Sequence, residues 1–387
     1  MSRPRLAIYR HLLLSRLDRF IALQARDFNE SDVCLFGVQR SADVALETPY
    51  WLLTEHAYSR SLAARGYQIS RRSRRLVRAI SAWRPMLILA HYAQDGWRIA
   101  PTAKALDVPL VVTCHGSDVL YRDEFAPRMS WSARQLRQNW QRLVDAVDLF
   151  LPVSRFVGRA LEDRGVPSEK IHVHYLGISI PSQSGQRPST PKPQILFVGR
   201  LEENKGCVDL LTAFRNVKRA SPSAQLKIVG DGPERRRLES CAHSLGLSVH
   251  DVEFTGFLNS HGVAKALGES VALCVPSVKT RSGISEGLGL VAIEAQVREV
   301  PVIAYRTGGL PEVVQDGIGG MLVPAGNIAS LGDAMSNLLG NPERCREMGY
   351  RGRKFVEERF DSRTQTQALE RYLLGRYGRY PAAGDWA

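Results

Sequence analysis

The stretch Gln194-Ile195-Leu196-Phe197-Val198-Gly199-Arg200-Leu201-Glu202-Glu203-Asn204-Lys205-Gly206 decides the fold. A short apolar run ends in Gly199-Arg200, and the chain turns through a polar loop into a helical segment after Lys205-Gly206. Basic side chains therefore stand at the carboxyl end of a strand. The same alternation of short apolar runs and longer amphipathic segments continues in both directions. Downstream, residues 225–229, 252–254, 271–274, 301–304 and 320–323 read as strands; upstream, 6–9, 33–36, 86–90, 110–113, 149–153 and 171–174 do so, with helical stretches such as 132–147 between. Such alternation predicts an α/β protein with parallel sheets covered by helices on both faces. Residues 181–193, rich in Pro and Ser and without apolar periodicity, read as a linker. The expectation is two Rossmann-like domains, at 1–180 and 194–360, facing across a cleft, with an amphipathic terminal helix within 361–387. Ligands of open α/β sheets bind outside the carboxyl ends of the strands, so the cleft is the expected site.

The bulk composition is that of a soluble globular protein: 387 residues, 44% hydrophobic and 24% charged. No apolar run reaches membrane-span length, and Leu6-Ala7-Ile8-Tyr9 is too short for a signal-peptide core. Six scattered cysteines without a C-x-x-C pair read as reduced core residues of a cytoplasmic protein, with no zinc or disulfide framework. The net charge of +13 is uneven: residues 1–190 hold 27 Lys and Arg against 17 Asp and Glu. Its densest cluster is Arg71, Arg72, Arg74, Arg75 and Arg78, which on a helix with Leu76, Val77 and Ile80 makes a broad basic face. An anionic membrane surface, nucleic acid and a merely solvated helix all fit such a face. No helix-turn-helix, aromatic RNA-binding strand or zinc-finger spacing supports nucleic acid.

A second segment carries chemistry. Ser285-Glu286-Gly287-Leu288-Gly289-Leu290-Val291-Ala292-Ile293-Glu294-Ala295 crosses from a glycine-studded loop into a helix. Carboxylates at Glu286 and Glu294 accept hydrogen bonds from vicinal hydroxyls, as a ribose or hexose presents them. Arg200 and Lys205 neutralise diphosphate without a metal, and amides at the helix start, around Gly287, Leu288, Gly289, Leu290 and Val291, cap phosphate oxygens. Eight residues are close to a whole number of turns, so the sequence places Glu294 about two turns into the helix on a face similar to that of Glu286. Gly199, the turn Val229-Gly230-Asp231-Gly232-Pro233 and the segment 252–258 with Phe257 are open to the nucleotide; Gly308-Gly309 again places glycines at a strand end.

This pattern resembles the retaining glycosyltransferases of family 4, which have the GT-B architecture. The resemblance covers nearly the whole chain and is strongest over 194–325. It implies that Arg200 and Lys205 hold the donor diphosphate, that Glu286 binds hydroxyls of the transferred sugar and that Glu294 binds the ribose. Cys114-His115-Gly116-Ser117-Asp118 looks like the family's strand-end His-Gly-x-Asp, whose histidine faces the anomeric carbon and acceptor, and His91 stands in a second cleft-facing loop. Many members carry a glycine pair after the first strand; residues 11–21 here contain none, and Arg16 and Arg19 are expected to meet an anionic acceptor such as a lipid diphosphate. No Asp-x-Asp metal clamp occurs in the chain.

The resulting expectation is a metal-independent transferase without a cofactor. His115, Arg200, Lys205 and Glu286 form its catalytic set, and His91, Asp118, Arg16 and Arg19 meet the acceptor. Its partners would be a UDP- or GDP-sugar and a glycan or polyprenyl-diphosphate-linked acceptor, with peripheral contact to the inner membrane face and no nucleic acid. The terminal helix would cross back to the first domain. A degenerate binder of sugar nucleotides and a sugar-nucleotide epimerase are the alternatives of similar architecture; a phosphorylase would need pyridoxal phosphate and a far longer chain.

Overall fold

The computed structural model describes residues 3–13, 18–40, 47–54, 62–121, 131–181 and 191–378. The chain divides into two compact units, Met1–Ser179 with Asp361–Ala387, and Ile180–Phe360. Each is built on a six-stranded sheet in which every recorded strand pair is parallel.

In the first unit the strands are β1 (Arg5–Leu13), β2 (Asp32–Arg40), β3 (Tyr50–Leu52), β4 (Leu87–His91), β5 (Leu110–Cys114) and β6 (Leu149–Pro152), in the order β3-β2-β1-β4-β5-β6. Every residue of β4 and β5 is buried, as a strand covered by helices on both faces requires. In the second unit they are β7 (Lys192–Val198), β8 (Gln225–Val229), β9 (Val252–Gly256), β10 (Ser270–Val275), β11 (Val302–Tyr305) and β12 (Gly320–Val323), in the order β12-β11-β10-β7-β8-β9. Helix Cys207–Ala220 shows how the covering layer forms: Cys207, Leu210, Leu211, Phe214 and Val217 recur at helical spacing and enter the core. Both sheets wind outward from a central strand, return, and wind the other way. The reversal falls between β1 and β4 in one unit and between β7 and β10 in the other. At such a switch point the connections leave adjacent strand ends towards opposite faces and open a crevice there.

The terminal helix Ser362–Tyr377 belongs to the first unit, where Leu369, Leu373 and Tyr377 enter the core beside helix Arg19–Asp27. The Glu370 carboxylate accepts from the amides of Asn29 and Glu30, at 2.8 and 3.0 Å, and Ser362 Oγ donates to Asp27 Oδ2 at 2.6 Å.

The structure corrects several sequence expectations. Residues 171–174 form only a single bridge, from Ile171 to Phe150, while Tyr50–Leu52 adds an edge strand too short for its alternation to register. The stretch 132–147 is two helices, Trp131–Gln138 and Trp140–Ala146, broken at Asn139. β7 begins at Lys192, inside the expected linker; Pro193 is accommodated where the pairing with β10 shifts register between Ser270 and Ala272. Residues 182–190 of that linker lie outside the described residues.

Candidate active site

The loops at the carboxyl ends of β7, β8 and β9 are held backbone to backbone. Gly199 N donates to Val229 O at 3.0 Å, Leu201 N to Asp231 O at 3.0 Å and Gly230 N to Gly256 O at 2.8 Å. Gly230, at φ +134°, lies so close that a Cβ would land on the Gly199 carbonyl oxygen. The next tie spans the switch point itself. Gly206, at φ +66°, has no room for a Cβ against the Pro276 carbonyl, and Val278 N donates to Asn204 O at 2.8 Å. The loop after β7 is thereby zipped to the loop after β10.

That zipper brings three side chains together. Lys205 Nζ donates to Glu286 Oε2 at 2.7 Å, and Ser277 Oγ donates to the same oxygen at 3.1 Å. The Lys205 and Glu286 side chains are 23% and 15% exposed. Burial alone would raise the Glu286 carboxyl; the Lys205 ammonium and the Ser277 hydroxyl outweigh it and hold the group below the usual carboxylate range. Among the described residues Oε1 of Glu286 makes no hydrogen bond, so the charged carboxylate keeps an acceptor oxygen for a ligand. Its backbone is fixed by Gly309 N, which donates to Glu286 O at 2.9 Å across a contact too close for a side chain at Gly308.

The remaining second-unit residues sit around this cluster or near its strand ends. Gly287, Leu288 and Gly289 form the buried approach to helix Leu290–Gln296, which Gly289 opens at φ +95°. Glu294 is the fifth residue of that helix and Glu286 lies outside it, so helical periodicity does not place the two glutamates on one face; Glu294 stands one turn in, not two. Arg200 is 54% exposed and paired with Glu202 at 2.9 Å. Asp231 Oδ1 accepts from Gly232 N at 2.8 Å, and Phe257, just past β9, is 53% exposed.

The first unit builds a second cluster at its own switch point. Arg10, near the end of β1, reaches Asp95 Oδ2 at 2.5 Å and Asp18 Oδ2 at 3.3 Å; Asp95 also takes Arg98 at 2.5 Å and the His11 amide at 2.9 Å. Burial would raise the Asp95 carboxyl, but Arg10 and Arg98 hold it down at about 2. Tyr92, a non-glycine residue at φ +70°, lays its ring against the Arg10 guanidinium (4.3 Å) and the His115 ring (4.2 Å), while its hydroxyl donates to Asp18 Oδ1 at 3.2 Å. His91 ends β4, His115 follows β5, and His91 Nδ1 lies 3.2 Å from His115 Nε2. Phe20 closes over both rings, at 6.0 and 5.0 Å. Burial first, and then the nearby Arg10 charge, push His91 down to about 3; burial, His91 and Arg10 push His115 well below the ordinary value.

The structure thus joins Lys205 to Glu286 and His91 to His115. It corrects Asp118: Oδ2 accepts from the Ala93 amide at 2.8 Å and Oδ1 from the His115 and Gly116 amides at 3.0 and 2.9 Å, so this buried carboxylate shapes the loop instead of facing an acceptor. Arg19 is exposed at the start of its helix, and Arg16 lies outside the described residues. Sequence reasoning missed Ser277, Arg10, Asp18, Tyr92 and Asp95. Tyr92 and Asp95 do carry a signal, since they lie in the same loop, 90–96, as His91; the others gain meaning only when strands far apart in the chain become neighbours.

A two-unit α/β protein with charged clusters at both switch points has the fold of the GT-B glycosyltransferases. Residues 20–180 match the family model for Glycosyltransferase Family 4 and residues 181–355 that for Glycosyl transferases group 1. Together the two models span residues 20–355, and the chain is a glycosyltransferase of GT-B type. It is 26% identical over 352 residues, 87% of this chain and 91% of the relative, to the GDP-mannose-dependent α-(1-6)-phosphatidylinositol monomannoside mannosyltransferase of Mycolicibacterium smegmatis. It is 28% identical over 299 residues, 75% of this chain and 71% of the relative, to the putative colanic acid biosynthesis glycosyltransferase WcaL of Escherichia coli. Among solved structures, Anabaena HepE in complex with UDP and glucose superposes with a TM-score of 0.75 at 19% identity, over 96% of this chain and all of that one, a likeness of fold.

Proposed function

We propose that this glycosyltransferase moves a hexose from a nucleotide-sugar donor to a glycan or lipid-linked acceptor with retention of anomeric configuration, in the assembly of a surface polysaccharide. The carrying observation is the Lys205–Ser277–Glu286 cluster at the β7/β10 switch point. A diphosphate there meets the Lys205 ammonium and the Arg200 guanidinium, whose exposed pair with Glu202 is readily exchanged for phosphate. Glu286 Oε1 accepts from sugar hydroxyls, and amides from Gly287 to Val291 take phosphate oxygens. Glu294 is assigned to the ribose, Asp231 and Phe257 to the nucleotide.

The reaction breaks the bond between the anomeric carbon and the diphosphate oxygen and forms one to the acceptor hydroxyl, whose proton passes to the departing phosphate. Charge grows on the diphosphate as the bond stretches, so fixed cations and amides stabilise the transition state more than the ground state. This supply of positive charge by the chain itself supports a reaction that needs no metal. The WcaL and mannosyltransferase relatives favour a polysaccharide or lipid-linked acceptor over a small soluble one.

A membrane-bound acceptor also fits the first unit's surface. The chain has no Asp or Glu between Glu55 and Asp95 but eight Arg. Helix Arg74–Trp83 turns Leu76 and Ile80 inward and leaves Arg74, Arg75 and Arg78 exposed, and Ile69 of the preceding helix is exposed as well. Anionic lipid attracts such residues by about 1 kcal/mol each.

The test is a thermal-shift screen against UDP, GDP and ADP with and without magnesium, followed by transfer assays with the nucleotide sugar selected. Saturation at 100 times the dissociation constant stabilises by about 2.7 kcal/mol. One nucleotide shifting the protein equally with EDTA, and a product with the donor's anomeric configuration by proton NMR, are expected. Binding without transfer to any glycan or lipid acceptor would leave only a sugar-nucleotide-binding protein.

A further inference from the structure

The His91–His115 contact has a directional consequence. A hydrogen bond between two imidazole nitrogens 3.2 Å apart contains one proton, so one ring donates and the other accepts. Both rings are neutral, since burial and the adjacent Arg10 disfavour a second positive charge. Two arrangements remain. If His115 donated through Nε2, His91 would accept at Nδ1 and carry its own proton on Nε2. That nitrogen is buried without a partner among the described residues, so the arrangement strands a donor away from water. If His91 donates through Nδ1, its Nε2 is a bare lone pair instead, and orphaned donors are the rarer defect of folded proteins. The second arrangement puts the His115 proton on Nδ1. This nitrogen makes no hydrogen bond among the described residues and is not enclosed, on a ring that is half-buried.

We propose that His91 is a positioning residue that locks His115 in the Nδ1–H tautomer, so that His115 meets the sugar or acceptor as a hydrogen-bond donor and not as a base. The proposal rests on the reading of His115 as part of the transferase site. It assigns different work to two histidines: His91 never touches the ligand, and His115 offers an oxygen of the ligand a single fixed N–H. Tyr92 and Phe20 pack against the ring, both tilted to it, at centroid distances of 4.2 and 5.0 Å. With Nε2 occupied by the His91 proton, His115 has no free lone pair to remove a proton from the acceptor, which leaves the departing phosphate as the proton's destination.

The experiment is two-bond 1H–15N correlation NMR on 15N-histidine-labelled full-length protein, with His115 assigned from His115→Ala. The Nδ1–H pattern is expected for His115 and the same for His91. In His91→Asn the side-chain amide replaces the Nδ1 donor, and in His91→Phe the ring remains but the donor is lost. His91→Asn should keep the His115 pattern; His91→Phe should lose it and lower kcat by about ten- to a hundredfold, with donor KM little changed and Asn recovering most of the loss. A protonated Nε2 on His115 in the parent protein overturns the tautomer assignment, whether or not the protein transfers sugar. Full turnover in His91→Phe overturns the positioning role. The expected spectrum together with parent-like transfer by His115→Ala leaves the pairing standing and removes the His115 transferase role.

Discussion

Replacing Lys205 by alanine separates the ion pair its ammonium makes with Glu286 from the diphosphate contact proposed for it. Unit charges 2.7 Å apart attract by about 6 kcal/mol at an effective dielectric of ~20. Desolvation cancels much of that, and both groups keep some contact with solvent, so the net contribution of the pair to stability is about 1–2 kcal/mol. Lys205→Ala leaves the Glu286 carboxylate with Ser277 as its remaining hydrogen-bond donor, and the melting temperature should fall by roughly 3–6 °C for a unit of this size. The catalytic effect is larger. Loss of one preorganised charge at a leaving diphosphate costs about 3–4 kcal/mol in the transition state, or ~10²–10³ in kcat.

The two effects are separated by adding Glu286→Gln. The neutral amide removes the stranded carboxylate, so the double variant should recover most of the lost melting temperature. Its transfer rate should stay as low as that of the single variant, because residues acting as one unit do not add. Differential scanning calorimetry and initial rates with saturating donor provide both readings. Lys205→Ala with kcat within about threefold of the parent would refute the diphosphate assignment, and a double variant no more stable than Lys205→Ala would refute the ion-pair account of its instability.

Three further outcomes follow from the geometry. Because burial depresses His91 and His174 to about 3 and His11 to about 4, these rings stay neutral in the fold while the unfolded chain protonates them below about 6.5; stability is therefore flat above pH 6.5 and falls on acidification by up to about 1.4 kcal/mol per pH unit per histidine, which urea titrations between pH 7.5 and 5 would read and a pH-independent midpoint would contradict. Gly206→Ala forces a Cβ onto the Pro276 carbonyl at a positive φ and should cost more than about 2 kcal/mol and displace Lys205, whereas Gly268→Ala, with open space inside helix Ser260–Glu269, should stabilise by about 0.5–1 kcal/mol; equal melting shifts for the two would sink the zipper argument. Glu370→Ala strands the amides of Asn29 and Glu30, so hydrogen exchange in helix Ser362–Tyr377 should accelerate by one to two orders of magnitude, from a loss of about 1–3 kcal/mol, and unchanged protection would show that the carboxylate does not pin the helix.

The sequence displayed the sheets because parallel strands buried on both faces read as apolar runs whatever their neighbours are. Ile195 to Val198 and Leu110 to Thr113 announce themselves without knowledge of the tertiary structure. Where burial is one-sided or a strand is three residues long, as at Tyr50–Leu52, the local signal vanishes. The same division governs the site. Lys205 and Glu286 could be singled out because each stands beside glycines whose backbone must approach something closely, and the structure supplies the contacts: Pro276 for Gly206, Glu286 itself for Gly308. Glu294 stands a turn nearer the helix start than its eight-residue spacing from Glu286 implies, because the helix begins only at Leu290. Asp118 departs from its sequence expectation for another reason. A carboxylate after His-Gly looks ligand-facing in one dimension, and only the fold shows three backbone amides converging on it.

What no local reading supplies is the meaning of the strand order. Arg10 and Asp95 are 85 positions apart, as Lys205 and Glu286 are 81. Each pair joins the loop after the first strand of a sheet, or the end of that strand, to the chain following its fourth, and those are the two strands between which the winding reverses. An ion pair there ties together the two chain segments between which the reversal occurs. The two pairs differ in what they leave over. Asp95 spends both oxygens on Arg10, Arg98 and an amide and is closed to ligands, so its cluster serves as rigid support under Tyr92 and His115. Glu286 receives both of its donors on Oε2 and keeps Oε1. The same topological position therefore yields a closed scaffold in one unit and a carboxylate with an unspent oxygen in the other, and the distinction lies in how many donors surround the acid, which burial and hydrogen bonding decide and spacing does not.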